Sequence, residues 1–293
     1  MARHVPGAIR NLGKRRRHDT HVAAKQKASD MKIEGRTFIV SGGASGLGRA
    51  CVVDICRSNG YAAILDMNEE LGTELAKEIG GERARFFQTN VLETESIAAA
   101  VKGALTWVMQ TGKEVGGVIA AAGVSTPAKI LDREGNPFNL DDFDFVMNVN
   151  VRGTIDLIRQ CLPHMAKVKS VGEDGERGII IMVASSAAFD GQPGQVAYSA
   201  SKGAIASLTL PLTRDLARYG IRVVTIAPSL FQSRMTDMMS EKVRASLMRV
   251  VEFPRRPGRG EEFAQLVRQS IENVMLNGVV LRIDGGMRMP SKM

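Results

Sequence analysis

Tyr198 and Lys202 stand four residues apart in the stretch Tyr198-Ser199-Ala200-Ser201-Lys202, so on a helix both side chains project from one face, a turn apart. A phenol ordinarily titrates near about 10, and an ammonium one turn away favours its phenolate. Such a tyrosine can take and return protons near neutral pH. An exposed helix face would produce the same spacing, so the pair needs company. Ser185, thirteen residues upstream, follows the apolar run 178–184, which reads as a strand. A hydroxyl at the carboxyl end of a strand in an open α/β sheet lies where ligands bind, and it can hold a carbonyl oxygen beside the tyrosine. Ser186 offers a second hydroxyl next door, and either can instead cap the loop.

A second group of chemistry-bearing residues lies near the start. The strand-like run 37–40 leads into Ser41-Gly42-Gly43-Ala44-Ser45-Gly46-Leu47-Gly48 and then a helical pattern. A glycine turn between strand and helix lets the backbone approach a pyrophosphate, and the helix N-terminus supplies N–H groups and positive dipole. A glycine-rich turn with no ligand is the plainer alternative. The next strand ends at Asp66, whose carboxylate can accept from both ribose hydroxyls of an adenosine and would repel a 2′-phosphate. Ser45 and Met67 add no positive charge to welcome that phosphate, so NAD is favoured over NADP.

These positions require a scaffold, and the hydrophobic pattern supplies one. Strand-like runs at 37–41, 62–66, 84–90, 117–121, 178–184, 221–227 and 279–283 alternate with helical stretches at 48–59, 69–79, 94–110, 141–167, 197–219 and from about 261. Runs such as Ile179-Ile180-Ile181-Met182-Val183 are apolar on both faces, as strands covered by helices must be. The expected fold class is α/β: a single Rossmann-type, doubly wound domain with a mostly parallel seven-stranded sheet and helices on both faces. Two insertions, 125–139 and 169–177, read as surface loops.

Composition removes several function classes. The formal net charge is +8, but residues 1–36 hold ten Lys and Arg against three acids, leaving the body of the chain near neutral. The expected organisation is a basic arm or targeting segment at 1–31 and a catalytic domain at 32–293, with nucleic-acid contact confined to the arm. Cys51, Cys56 and Cys161 lack metal or redox spacing and read as core thiols. His4, His18 and His21 lie in the arm and His164 follows a proline, so neither a metal site nor a Ser-His-Asp triad is expected. No apolar run approaches membrane-spanning length.

The glycine turn, Asn150-Val151-Arg152-Gly153, Ser185, Tyr198 with Lys202, and Ile226-Ala227-Pro228 occur in the order of the short-chain dehydrogenases/reductases, which this chain resembles over about residues 32–290. The stretches 191–203 and 221–231 and the ending Leu281-Arg282-Ile283-Asp284-Gly285-Gly286 look most like the family's type-2 3-hydroxyacyl-CoA dehydrogenase branch, which also carries a hydroxysteroid dehydrogenase name.

The resemblance implies NAD-dependent interconversion of a secondary alcohol and a ketone, with (3S)-3-hydroxyacyl-CoA as substrate and steroid-like alcohols as further ones. A biosynthetic 3-oxoacyl reductase and a non-catalytic scaffold in mitochondrial tRNA processing are the alternatives. Tyr198 would be the general acid/base, Lys202 would hold the nicotinamide ribose and lower the phenol's pKa, Ser185 would orient the carbonyl, and Asn150 would hold a proton-relaying water. Cofactor contacts implied are Gly42, Ser45, Gly46, Leu47, Gly48, Asp66, Asn90, Val91, Ala121, Gly123, Tyr198, Lys202 and Phe231. Three positions depart from the family pattern: Asn90 replaces an Asp that binds adenine, Ala120 an Asn that braces the sheet, and Ser229 a Gly that opens the substrate loop.

That loop is expected at 228–250, where Met235, Met238, Met239, Leu247 and Met248 suit either an adaptable apolar pocket or plain packing. Arg255, Arg256 and Arg259 would meet CoA phosphates or remain solvated. The family implies a homotetramer. The basic start resembles a mitochondrial presequence and the final Ser291-Lys292-Met293 a peroxisomal signal, and the family's habit favours the mitochondrial matrix.

Overall fold

The computed structural model describes Met1, residues 33–233, Thr236 and residues 241–289. The chain separates into two units, Met1–Met31 and Lys32–Met293. The expected basic arm, the loop residues Met235, Met238 and Met239, and the C-terminal Ser291-Lys292-Met293 lie outside the described residues.

In chain order the second unit runs β1 (Arg36–Ser41), α1 (Gly46–Arg57), β2 (Tyr61–Asp66), α2 (Glu69–Ile79), β3 (Ala84–Gln88), α3 (Thr94–Thr111) and β4 (Glu114–Ala120). It continues with α4 (Leu140–Met147), a π-helical turn (Asn148–Arg152), α5 (Gly153–Met165), β5 (Gly178–Val183), a short turn of 3-10 helix (Ser186–Ala188), α6 (Val196–Leu216) and β6 (Ile221–Pro228). After α7 (Glu241–Met248) and α8 (Gly260–Glu272), β7 (Val279–Ile283) completes the sheet. The seven strands lie in the order β3-β2-β1-β4-β5-β6-β7. Every pairing is parallel. The order reverses direction at β1, between β2 and β4, and the carboxyl ends of those strands open the crevice in which such sheets bind ligands.

Alternation along the strands builds two cores. Phe38, Val40, Ile179 and Ile181 face one way and pack with Val52 and Ile55 of α1 and Phe263 and Val267 of α8. Ile39, Ile180 and Met182 face the other way against Ile97 and Ala104 of α3, Leu157 and Cys161 of α5 and Ile205 of α6. All three cysteines are buried and free, as core thiols. Each fully buried aliphatic side chain contributes roughly 1.5–3 kcal/mol. That double-sided burial makes the sheet a rigid base for residues at the strand ends.

Two readings of the sequence need correction. The helix expected at 141–167 runs over 140–165 but is not α-helical throughout: the N–H of Gly153 reaches back to the Asn148 carbonyl, making a π-helical turn that carries the buried Asn150. The side chain that Gly153 lacks would meet the Val91 carbonyl at 2.8 Å, so glycine lets the start of α5 pack against the loop after β3. The 169–177 insertion is only partly a surface loop. Glu176 is buried and pairs with the equally buried Arg222 at 2.8 Å. The cation needs this partner because its guanidinium is turned inward, where it also donates to carbonyls of Ser270, Ile271 and Leu276 around the end of α8.

Candidate active site

The carboxyl ends of β1, β2, β4 and β5 border a cleft of about 480 Å³ with the glycine turn at one end and Ser185, Tyr198 and Lys202 at the other. Gly42 has φ +64, and a Cβ there would stand 2.8 Å from the Ala122 nitrogen, so no other residue fits the turn without moving β4's exit. Ser45, Gly46, Leu47 and Gly48 line the floor where α1 begins, presenting its unpaired N–H groups. Asp66 ends β2 beside them. One of its carboxylate oxygens accepts from the Ala44 N–H at 3.1 Å and the other from Asn68 at 3.0 Å, which fixes the group while leaving each oxygen a further lone pair.

At the other end β5 delivers Ser185 and α6 delivers Tyr198 and Lys202. The Ser185 side chain lies close enough to the Tyr198 phenol to draw its pKa down. Ser185 Oγ also accepts from the Ala187 N–H at 3.1 Å. Ser186 is turned fully into the interior and does not line the cleft, whereas Ser185 does. Lys202 Nζ lies 5.7 Å from the centre of the Tyr198 ring and donates to the Val183 carbonyl at 2.8 Å. Gly123 leaves room for it: a Cβ there would approach Lys202 Nζ at 3.3 Å and Asn150 Oδ1 at 3.2 Å.

Burial dominates the electrostatics. It lowers the Lys202 pKa to about 8, because the low-dielectric surroundings disfavour the ammonium. It also raises the Tyr198 phenol, while the contact with Ser185 pulls the other way. In the free chain the loss of solvation outweighs the lowering contact with Ser185.

A family pattern described as short chain dehydrogenase matches residues 36–244, a range that holds both ends of this cleft. The chain belongs to the short-chain dehydrogenase family. It is 40% identical over 262 residues to the 3-hydroxyacyl-CoA dehydrogenase type-2 of Drosophila melanogaster, covering 88% of this chain and 99% of that protein. The protein of the same name from Homo sapiens is 38% identical over 265 residues, covering 89% and 98%. Among solved structures, the 3-hydroxyacyl-CoA dehydrogenase type-2 from Mycobacterium avium superposes with a TM-score of 0.82 at 34% identity, over 88% of this chain and 98% of that one. The chain is thus an oxidoreductase, and family and fold together imply a nicotinamide cofactor.

In this short-chain dehydrogenase Val91, Ala121, Gly123 and Phe231 also line the cleft. Asn90 does not: its amide is spent at the head of α3, donating to Glu93 at 2.7 Å and accepting from the Leu92 N–H at 3.1 Å. Asn150 lies behind the cleft wall, 1% exposed. Its Oδ1 accepts from the Val124 N–H at 2.8 Å, and its Nδ2 donates to the Val124 carbonyl and the Ser201 hydroxyl, both at 2.9 Å. Its amide braces the exit of β4 against α6. Where Ala120 stands for the family's asparagine, Ser41 ties the sheet instead, accepting from the N–H groups of Ala121 and Ala122.

Ser125, Val149, Ser233 and Thr236 line the cleft without having been singled out in the sequence. Ser233 approaches Gly46, and Thr236 closes a turn by donating to the Phe231 and Ser233 carbonyls, each at 2.8 Å. The Ser-x-x-Thr spacing was the available signal, masked by the methionines around it. Leu247 packs on Leu230, Val251 and Met287 and faces no cleft. Arg256 is held by Glu262 through two bonds of 2.5 and 2.8 Å, leaving it poorly placed for a phosphate. Among the described residues no cluster of His, Cys, Asp or Glu suits a metal, and no helix is long and apolar enough to cross a membrane.

Proposed function

We propose that the chain is an NAD-dependent dehydrogenase that interconverts (3S)-3-hydroxyacyl-CoA and 3-ketoacyl-CoA. The observation that carries this reading is that Ser185, Tyr198 and Lys202 line the same cleft as the glycine turn and Asp66, with Lys202 Nζ 5.7 Å from the centre of the phenol ring. The names of the type-2 relatives supply the substrate class. Asp66 supports NAD, because a second anion at the ribose 2′ position would face a carboxylate already fixed by two N–H groups.

The cleft fits the dinucleotide: glycine at 42 keeps the floor open, α1 offers its N-terminus to a pyrophosphate, and the strand-end acid stands at the ribose position. When bound, the cofactor supplies the acceptor for the hydride leaving the carbinol carbon. The chain's own groups do the rest. Ser185 Oγ holds the substrate oxygen beside Tyr198, the phenolate removes the hydroxyl proton, and the Lys202 ammonium stabilises that phenolate. In the ketone-to-alcohol direction the protonated phenol donates to the same oxygen.

A homotetramer located in the mitochondrial matrix is part of the same reading, taken from the family's habit. The test is direct. Purified protein with NAD and (3S)-3-hydroxybutyryl-CoA should produce NADH, and faster than with NADP. No NADH from this substrate, from branched short-chain 3-hydroxyacyl-CoA or from hydroxysteroids would overturn it.

A further inference from the structure

Beyond the catalytic cluster, two segments converge on one point at the far edge of the sheet. The first is the turn that carries Ser185. Its backbone folds back on itself, Ala188 N–H to the Ser185 carbonyl at 3.0 Å and Asp190 N–H to the Ser186 carbonyl at 2.9 Å, so Asp190 moves as one body with Ser185. The second is the end of the substrate segment after α7, where Glu252 and Phe253 donate their N–H groups to the Gly285 carbonyl at 3.2 and 3.1 Å. Leu247 and Val251 of that segment pack on Met287, which is fully buried.

Arg282, on β7, joins the two. Its Nη2 donates to Asp190 at 2.6 Å and to the Met287 carbonyl at 3.2 Å, and its Nε donates to Asp284 at 2.7 Å. The guanidinium also lies 5.3 Å from the centre of the Phe189 ring. Asp284 in turn holds the Gly286 N–H at 3.0 Å and Arg288 at 3.1 Å, which shapes the turn presenting Gly285 and Met287. These are not loose surface pairs: the side chains of Arg282, Asp190 and Asp284 are 22%, 20% and 12% exposed. A planar fork with charge-assisted bonds to two carboxylates holds geometry as well as charge.

We propose that Arg282 is a positioning residue that fastens the Ser185 turn, through Asp190, and the segment after α7, through Asp284 and the C-terminal turn, to a common anchor. A displacement of the substrate-holding hydroxyl by a fraction of an ångström is enough to slow the reaction, so the anchor acts on kcat. The kinetic consequence rests on the proposed reaction; the mechanical coupling does not.

The test compares full-length Arg282→Gln and Asp190→Asn, the latter close to the native shape, by hydrogen exchange, NADH titration and steady-state turnover of acetoacetyl-CoA. Backbone exchange across 186–195 should rise in both variants, and across 243–253 in Arg282→Gln alone. NADH binding should be unchanged, and kcat should fall about tenfold with little change in KM. Unchanged exchange across 186–195 in both variants, unchanged exchange across 243–253 in Arg282→Gln, or faster exchange with undiminished kcat would overturn the proposal. If the unmodified chain turns over no acyl-CoA, the proposed function fails and the exchange measurement alone decides the anchor.

Discussion

The Asn150 amide donates to the Ser201 hydroxyl at 2.9 Å, and that hydroxyl donates onward to the Tyr198 carbonyl at 2.8 Å. The catalytic turn of α6 is thereby tied to the π-helical turn and, through Val124, to the exit of β4. Asn150→Ala strips partners from the half-buried Val124 N–H and carbonyl and from the buried Ser201 hydroxyl, and should destabilise the fold by about 2–4 kcal/mol, with Ser201→Ala costing about 1 kcal/mol. Chemical denaturation measures both, and kcat should fall with them because Tyr198 loses its fixed register.

Lys202 trades stability for chemistry. Its pKa is ordinarily 10.5 and drops to about 8 through burial. The unfolded chain therefore binds more protons across that window, so stability rises as pH climbs from about 8 towards 10.5. Lys202→Met should be more stable than the unmodified chain at pH 7 by about 2 kcal/mol, with the gain shrinking above pH 8 and activity reduced by at least ~100-fold. Melting curves at several pH values check the sign.

Burial raises the Tyr198 phenol and the contact with Ser185 lowers it. Oxidation needs the phenolate, so its rate should increase with pH above neutrality, while ketone reduction should decline. Ser185→Ala removes the lowering contact, and its oxidation profile should shift to higher pH with kcat down by about 10–100-fold. An unshifted profile would disconnect Ser185 from the phenol's titration.

Asp66 gives a cofactor prediction. Asp66→Ser removes the carboxylate that faces the ribose position, and it should raise the KM for NAD about tenfold while narrowing the preference over NADP. Steady-state kinetics with both dinucleotides is the measurement.

Much of this was legible in the chain because strands buried on both faces write long apolar runs and functional residues collect at their carboxyl ends. The helix Glu69–Ile79 and the strand Val279–Ile283 have the bounds that the pattern predicts. The π-helical turn was not legible, since one wider helical turn leaves hydrophobic periodicity almost intact and its cause is a tertiary demand, the burial of Asn150. The local bonds of the Asn90 amide to Glu93 and Leu92 were not legible either, since the residue type alone does not show where the amide is engaged. The buried Glu176 misled: a charged run reads as solvated until Arg222 is known to lie beneath it.

The most direct test is Tyr198→Phe, which removes one oxygen and keeps the ring. With NAD and (3S)-3-hydroxybutyryl-CoA the unmodified chain should form NADH, and the variant should do so at least ~100-fold more slowly while still binding the dinucleotide. A variant that retained full turnover would contradict the assignment of the phenol as the proton-transferring group.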